Sequence, residues 1–177
     1  RIRREIGPLA IGPEVLRELP GCLRRNEWKL TAVTTERTLL ALEPGDTTQR
    51  LFGAAFDIGT TTLVGTLIDL RDGREAAVVS RLNPQVPYGD DVLSRIRHAV
   101  AVPGGLEEMR EALRRELADM IAALCAGAGI GREEVYEATF AGNTTMEHIL
   151  CGLDPAQLGE IPFVPQHARG LLVPARE

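Results

Sequence analysis

The spacing of apolar and polar positions changes character at Leu51. Ahead of it, Val15, Leu16 and Leu19 form a short helical stripe, with Pro13 suited to its first turn and Pro20-Gly21 expected to end it. Residues 28–34 and 37–42 read as two short strands, closed by the turn signal Pro44-Gly45-Asp46. So few apolar positions do not bury a core unaided, and residues 1–50 read as a linker or middle segment preceding a larger domain. From Leu51 the apolar run 51–56 ends at Asp57, a second run covers 63–69, and a third follows the Asp72-Gly73 turn over 76–81. Three strands joined by short turns predict an antiparallel meander.

Helical spacing follows. Asp90-Asp91 opens a helix through Val92, Leu93 and Ile96, with acidic residues at its positive end. Behind Gly104-Gly105, apolar positions Leu106, Met109, Leu113, Leu117, Met120, Ile121 and Leu124 predict a longer amphipathic helix with Gly127 as its C-cap. Residues 135–141 read as a buried strand, and Asn143 or Thr144 as the cap of a last helix ending near Leu150. The predicted order from residue 51 is β-β-β-α-α-β-α. The Pro- and Gly-rich tail 161–177 shows no periodicity and reads as a segment severed from its packing partner.

Between the first two apolar strands stands Asp57-Ile58-Gly59-Thr60-Thr61-Thr62. An Asp at the end of a buried strand is costly unless it is paired, solvated in a cleft or facing a metal. Gly59 lets the backbone turn and approach a ligand closely, and the Thr hydroxyls join the turn's N–H groups as donors to phosphate oxygens. A carboxylate, bare backbone and a row of donors suit a magnesium-bound polyphosphate. The same residues also make sense as a hairpin satisfying its own backbone. Other phosphate motifs are excluded: the one lysine, Lys29, is far from any glycine loop, and no G-x-G-x-x-G opens a helix after a strand.

Composition narrows the classes further. Apolar residues at 44% and charged residues at 25% describe a globular chain rather than a disordered one. A net charge of −5, with basic runs no longer than pairs such as Arg24-Arg25, gives no pull toward nucleic acid or anionic membrane. No apolar stretch approaches the roughly 20 residues that span a bilayer, and no secretory leader is visible. The chain starts Arg1-Ile2-Arg3-Arg4 without Met, as expected of a cut inside a longer protein. Cys22, Cys125 and Cys151 lie far apart, so they read as small buried residues in a reducing, cytoplasmic setting rather than as zinc or iron–sulfur ligands. Glu147-His148, His98 and His167 lack metal-ligand spacing and read as surface or capped histidines, and Asp90-Asp91 as a helix start.

Strand-Asp-Ile-Gly-Thr-Thr-Thr-strand resembles phosphate loop 1 of the superfamily of acetate kinase, sugar kinases, heat-shock chaperones and actin. The resemblance sharpens at Leu82-Asn83-Pro84-Gln85, at Tyr88-Gly89-Asp90-Asp91-Val92-Leu93-Ser94-Arg95-Ile96 and at Ala141-Gly142-Asn143-Thr144-Thr145-Met146-Glu147-His148. With Glu43-Pro44-Gly45-Asp46-Thr47-Thr48, these segments resemble the reductive activators of corrinoid proteins, from about Pro13 to the end. That resemblance implies an α/β fold with a mixed sheet of the ribonuclease H type, the first half of an actin-like ATPase domain over residues 51–177. It implies ATP and magnesium as cofactors, and use of ATP to drive an electron onto cob(II)alamin of a partner corrinoid protein. A [2Fe–2S] cluster belongs to a ferredoxin-like domain upstream, and the second phosphate loop and adenosine loop lie beyond Glu177, so this chain holds half a nucleotide site. Carried over, Asp57 is the catalytic carboxylate facing magnesium through water, and Gly59, Thr60, Thr61 and Thr62 hold the phosphates. Asn143, Thr144 and Thr145 form a second tier lining the cleft, with a helix N-cap as the competing role. The resemblance is compatible with a homodimer. A small-molecule kinase of the same superfamily and a non-catalytic interaction module are the rival classes.

Overall fold

Pro13 sits in the first turn of helix α1 (Pro13–Arg25), where a missing N–H interrupts no hydrogen bond. The structure, a computed structural model, describes residues 8–173. It divides into two units, Arg1–Leu51 and Phe52–Glu177. In the first, β3 (Thr38–Pro44) lies between β1 (Ala10–Ile11), parallel to it, and β2 (Leu30–Thr35), antiparallel to it. Two expectations are corrected here. Helix α1 runs past Pro20-Gly21 to Arg25, because Cys22 gains burial in a small core with Val33 and Leu39. Trp28 stands outside the strand, in a turn with φ of 65°, and is 73% exposed. The segment from Glu43 to Thr48 forms a local turn: the Thr31 hydroxyl donates to the Gly45 carbonyl at 2.8 Å and accepts from the Thr47 N–H at 2.9 Å.

In the second unit, β4 (Phe52–Ile58), β5 (Thr62–Asp69) and β6 (Arg74–Leu82) form the antiparallel meander. The β5–β6 turn carries Gly73 at φ of 75°, a left-handed conformation that glycine adopts without strain. Helices α2 (Val92–Ala101) and α3 (Gly105–Ala128) then lead to β7 (Val135–Gly142), parallel to β4, followed by α4 (Thr144–Cys151). The strand order is β6-β5-β4-β7. Period-two alternation puts Ala54, Phe56 and Ile58 of β4 and Leu63 and Leu67 of β5 on one face. Against that face α3 presents Met109, Leu113, Leu117, Met120 and Leu124, at helical gaps of three and four, and α4 adds Met146 and Ile149. Each such fully buried side chain contributes on the order of 1.5–3 kcal/mol.

Helix α3 ends one half-turn later than its glycine pattern implies. The left-handed cap is Gly129, at φ of 67°, and Gly127 remains helical. The Ile130 N–H closes the motif on the Cys125 carbonyl at 3.0 Å. Strand β7 is also mostly exposed rather than buried, because β4 pairs with it on one side only and it forms the sheet edge. Residues 161–173 of the tail carry no helix or strand, and 174–177 lie outside the described residues.

Candidate functional site

Side chains alternate along β4, so the residue between buried Phe56 and buried Ile58 faces away from the core. Asp57 is that residue. It is exposed, lies in register between Val64 and Ala141, and has no hydrogen-bond or ion-pair partner among the described residues. It is therefore a solvated carboxylate, which removes the cost that burial would impose on a strand-end Asp.

Directly after Asp57 and Ile58, the chain turns through Gly59, Thr60 and Thr61. The Gly59 N–H donates to the Thr62 carbonyl at 3.1 Å. A Cβ at position 59 would lie 2.5 Å from that same oxygen, so the turn requires glycine for space rather than for an unusual φ. Thr60 is half-buried, and Thr61 and Thr62 are exposed.

Three successive carbonyls of this turn are held from behind. Asn83 Nδ2 donates to the Gly59 carbonyl at 2.8 Å, Arg95 Nη2 to the Thr60 carbonyl at 2.5 Å, and the Asn83 N–H to the Thr61 carbonyl at 2.7 Å. A trans peptide is planar, with its N–H opposite its C=O. The N–H groups of Thr60 and Thr61 consequently face away from the Asn83 and Arg95 side chains. The holding side chains are themselves locked. Gln85 donates its N–H to Asn83 Oδ1 at 2.9 Å and its Nε2 to the Met109 carbonyl at 3.2 Å, and its Oε1 accepts from Arg95 Nη1 at 3.2 Å. Arg95 Nε donates to the Gly89 carbonyl at 3.0 Å, and Nη1 also reaches Met146 Sδ at 3.2 Å. Asn83, Gln85 and Arg95 are all at 0% exposure. Burial pushes the Arg95 pKa down while the nearby Asp90 and Asp91 charges pull it up; a guanidinium stays charged through the neutral range.

Parallel pairing of β7 with β4 sets Gly142 beside Ile58, which brings the next residue, Asn143, to the turn. Its Nδ2 donates to the Thr60 hydroxyl at 3.2 Å, and its Oδ1 accepts the Met146 N–H at 3.0 Å, capping α4. The N-cap role is thus realised, and the same side chain also touches the turn through Thr60. Thr144 is exposed beside it, whereas Thr145 is buried at 4% exposure. Among the sequence candidates, the fold gathers Asp57, Gly59, Thr60, Thr61, Thr62, Asn143 and Thr144 at one end of the sheet and withdraws the Thr145 side chain from solvent.

Asn83, Gln85 and Arg95 belong to segments that carried the resemblance, yet composition and spacing assign them no role. Other candidates resolve into structure. Asp91 caps α2, accepting the Ser94 N–H at 2.7 Å, which holds its carboxyl below the usual range. His148 is buried rather than superficial: its Nδ1 bonds the Thr144 carbonyl at 2.7 Å and its Nε2 accepts the Gln166 N–H at 3.2 Å. Cys125 and Cys151 have thiols pushed up by burial. No three His, Cys, Asp or Glu side chains of the described residues cluster as metal ligands, and no described helix is long and apolar enough to cross a membrane. A depression of about 600 Å³ beside Tyr88 is walled by Glu107, Glu108, Glu111 and Arg115, a net acidic lining ill suited to a polyphosphate.

Comparison with known proteins falls on both units. Residues 52–177 match the family model described as the RACo middle region, and residues 1–49 the one described as the RACo linker region. The chain is similar to the corrinoid activation enzyme RamQ of Eubacterium limosum, at 40% identity over 114 residues, covering 64% of this chain and 19% of that protein. It is also similar to a solved reductive activator for a corrinoid, iron–sulfur protein, at a TM-score of 0.80 and 36% identity, covering 93% of this chain and 27% of the other. The chain thus spans about a fifth to a quarter of the length of these relatives.

Proposed function

This chain belongs to the family of reductive activators of corrinoid proteins, and on that premise we propose that it grips the phosphates of MgATP. Turnover of that ATP drives reduction of cob(II)alamin to cob(I)alamin on a partner corrinoid protein. The observation that carries the reading is the turn 59–61, whose carbonyls are tied inward by Asn83 and Arg95 so that the Thr60 and Thr61 N–H groups face outward. Outward N–H groups flanked by the hydroxyls of Thr60, Thr61 and Thr62 form a donor-rich cluster suited to phosphate oxygens. Asp57, solvated and without a partner among the described residues, is placed to accept hydrogen bonds from the waters of a magnesium ion. Bound there, the ion supplies charge neutralisation for the polyphosphate. Asn143 fixes the Thr60 hydroxyl and ties the end of β7 to the turn.

In this reading the second unit is the first subdomain of a ribonuclease H-like, actin-like ATPase, and the electron comes from a [2Fe–2S] domain elsewhere in the full-length protein. The names of the two relatives supply the partner class, a corrinoid protein. A small-molecule kinase requires a base facing an acceptor hydroxyl. Asn143, at the end of β7, is no base, and its amide is committed to the α4 cap and to Thr60.

Gly59→Ala in the full-length protein tests the site, because the added Cβ forces the Thr62 carbonyl to move. The expected result is a loss of MgATP affinity of about tenfold or more, together with loss of ATP-driven corrinoid reduction. Unchanged MgATP affinity in calorimetry removes the turn from the nucleotide site.

A further inference from the structure

We propose that Arg95 is a positioning residue of the nucleotide turn, holding the Thr60 peptide from behind and placing a buried positive charge beneath the phosphates. The inference rests on reading turn 59–61 as the phosphate site. It goes beyond that reading in assigning a buried side chain, which touches no ligand, to phosphate affinity.

Arg95 is held by neutral groups. Its guanidinium is at 0% exposure, and its partners are the carbonyls of Thr60 and Gly89, the Gln85 amide oxygen and the Met146 sulfur. No carboxylate of the described residues hydrogen-bonds it or forms an ion pair with it, and Asp90 and Asp91 act on it only through space. A buried charge without a counter-ion is expensive, and a neutral side chain fills the same space without that cost. A charge kept there calls for an anion, and the group directly across its shortest hydrogen bond is the Thr60–Thr61 peptide, whose N–H faces outward. A cation on the carbonyl of a peptide polarises the N–H on its other side, since hydrogen bonds in a chain strengthen one another. Arg95 therefore sharpens the Thr61 donor and adds a positive potential in a low-dielectric setting, where charge acts over several ångströms. The hold is directional too: the planar fork bonds Gly89, Gln85 and Thr60 at once, tying the start of α2 to the turn.

The test compares Arg95→Lys with Arg95→Gln in the full-length protein. Both lose the guanidinium fork, and only Lys keeps the charge, so their contrast cancels the shared packing loss. Calorimetric titration with MgATP is expected to show Arg95→Lys binding about tenfold or more tightly than Arg95→Gln, while unliganded Arg95→Lys melts no higher than unliganded Arg95→Gln. Equal MgATP affinity overturns the proposal, and so does an affinity difference that merely tracks a difference in melting temperature. If Arg95→Gln does not fold, Arg95→Met, whose apolar chain suits the neighbouring Met146, replaces it in the same comparison with the same two outcomes. Gly59→Ala separates the levels of failure. A silent Gly59→Ala removes the phosphate turn itself, whereas a weakened Gly59→Ala beside indistinguishable Arg95 variants removes the role of Arg95 alone.

Discussion

Asp57 concentrates the residue-scale question, because it does nothing visible for the fold. Its carboxylate is exposed and without partners among the described residues, so Asp57→Asn is expected to leave the melting temperature almost unchanged. If the side chain orients magnesium-bound water, the same change removes charge from a site where charge stabilisation dominates catalysis. ATP turnover in the full-length protein is then expected to fall roughly a hundred- to thousand-fold. ATP-driven corrinoid reduction is expected to fall with it, and chemical reduction of an iron–sulfur centre by an external donor is not. Near-normal turnover by the folded variant excludes Asp57 from the site. The turn at Gly59 and the Thr run was legible at this scale because a short-range pattern sets it. Arg95 was not: its role depends on burial and on Thr60, 35 positions away.

Among the elements, the β5–β6 hairpin shows how a turn is pinned. Arg71 donates Nε and its own N–H to Asp69 Oδ1, each at 3.0 Å, and Nη2 to Oδ2 at 2.7 Å. Those bonds, chiefly the side-chain ones, lower the Asp69 pKa to about 2. The unfolded carboxyl titrates near 3.9, so the pinning is fully present above about pH 4 and is lost as pH falls through about 2. Asp69→Asn is expected to lower the melting temperature at neutral pH and to flatten its decline between pH 4 and pH 2. An unchanged acid limb assigns acid unfolding to other carboxylates. Helix caps were readable in advance to within a residue, at Asp90-Asp91 and at Asn143 or Thr144, since a cap bonds an N–H only three residues away. The ends of α1 and α3 were not, because burial of Cys22 carries α1 through Pro20 and a choice between two glycines separated by one residue sets the end of α3.

At the scale of the molecule, the two units differ in how much core they possess. The first buries Cys22, Val33 and Leu39, whereas the second buries a cluster of twelve apolar residues shared by β4, β5, α3 and α4. Local opening free energies follow buried contact, so hydrogen exchange is expected to be markedly faster in β2 and β3 than in β4 and β5. Protection of β2 and β3 equal to that of β4 and β5 contradicts this ranking.

What the sequence determined by itself is whatever neighbours along the chain decide. Alternation of period two placed Phe56 and Ile58 inward and Asp57 outward; period 3.6 aligned Met109, Leu113, Leu117, Met120 and Leu124; Asp72-Gly73 turned the hairpin. These preferences act over a few residues and survive without knowledge of the partner surface. Tertiary structure alone decided the rest: the edge position that leaves β7 exposed, the joining of Asn143 to Thr60 across 83 positions, and the burial of Asn83, Gln85 and Arg95 behind the turn. Each of these depends on which distant groups the fold brings together, and for Asn83, Gln85 and Arg95 that place is a low-dielectric interior, where a polar atom must find a partner.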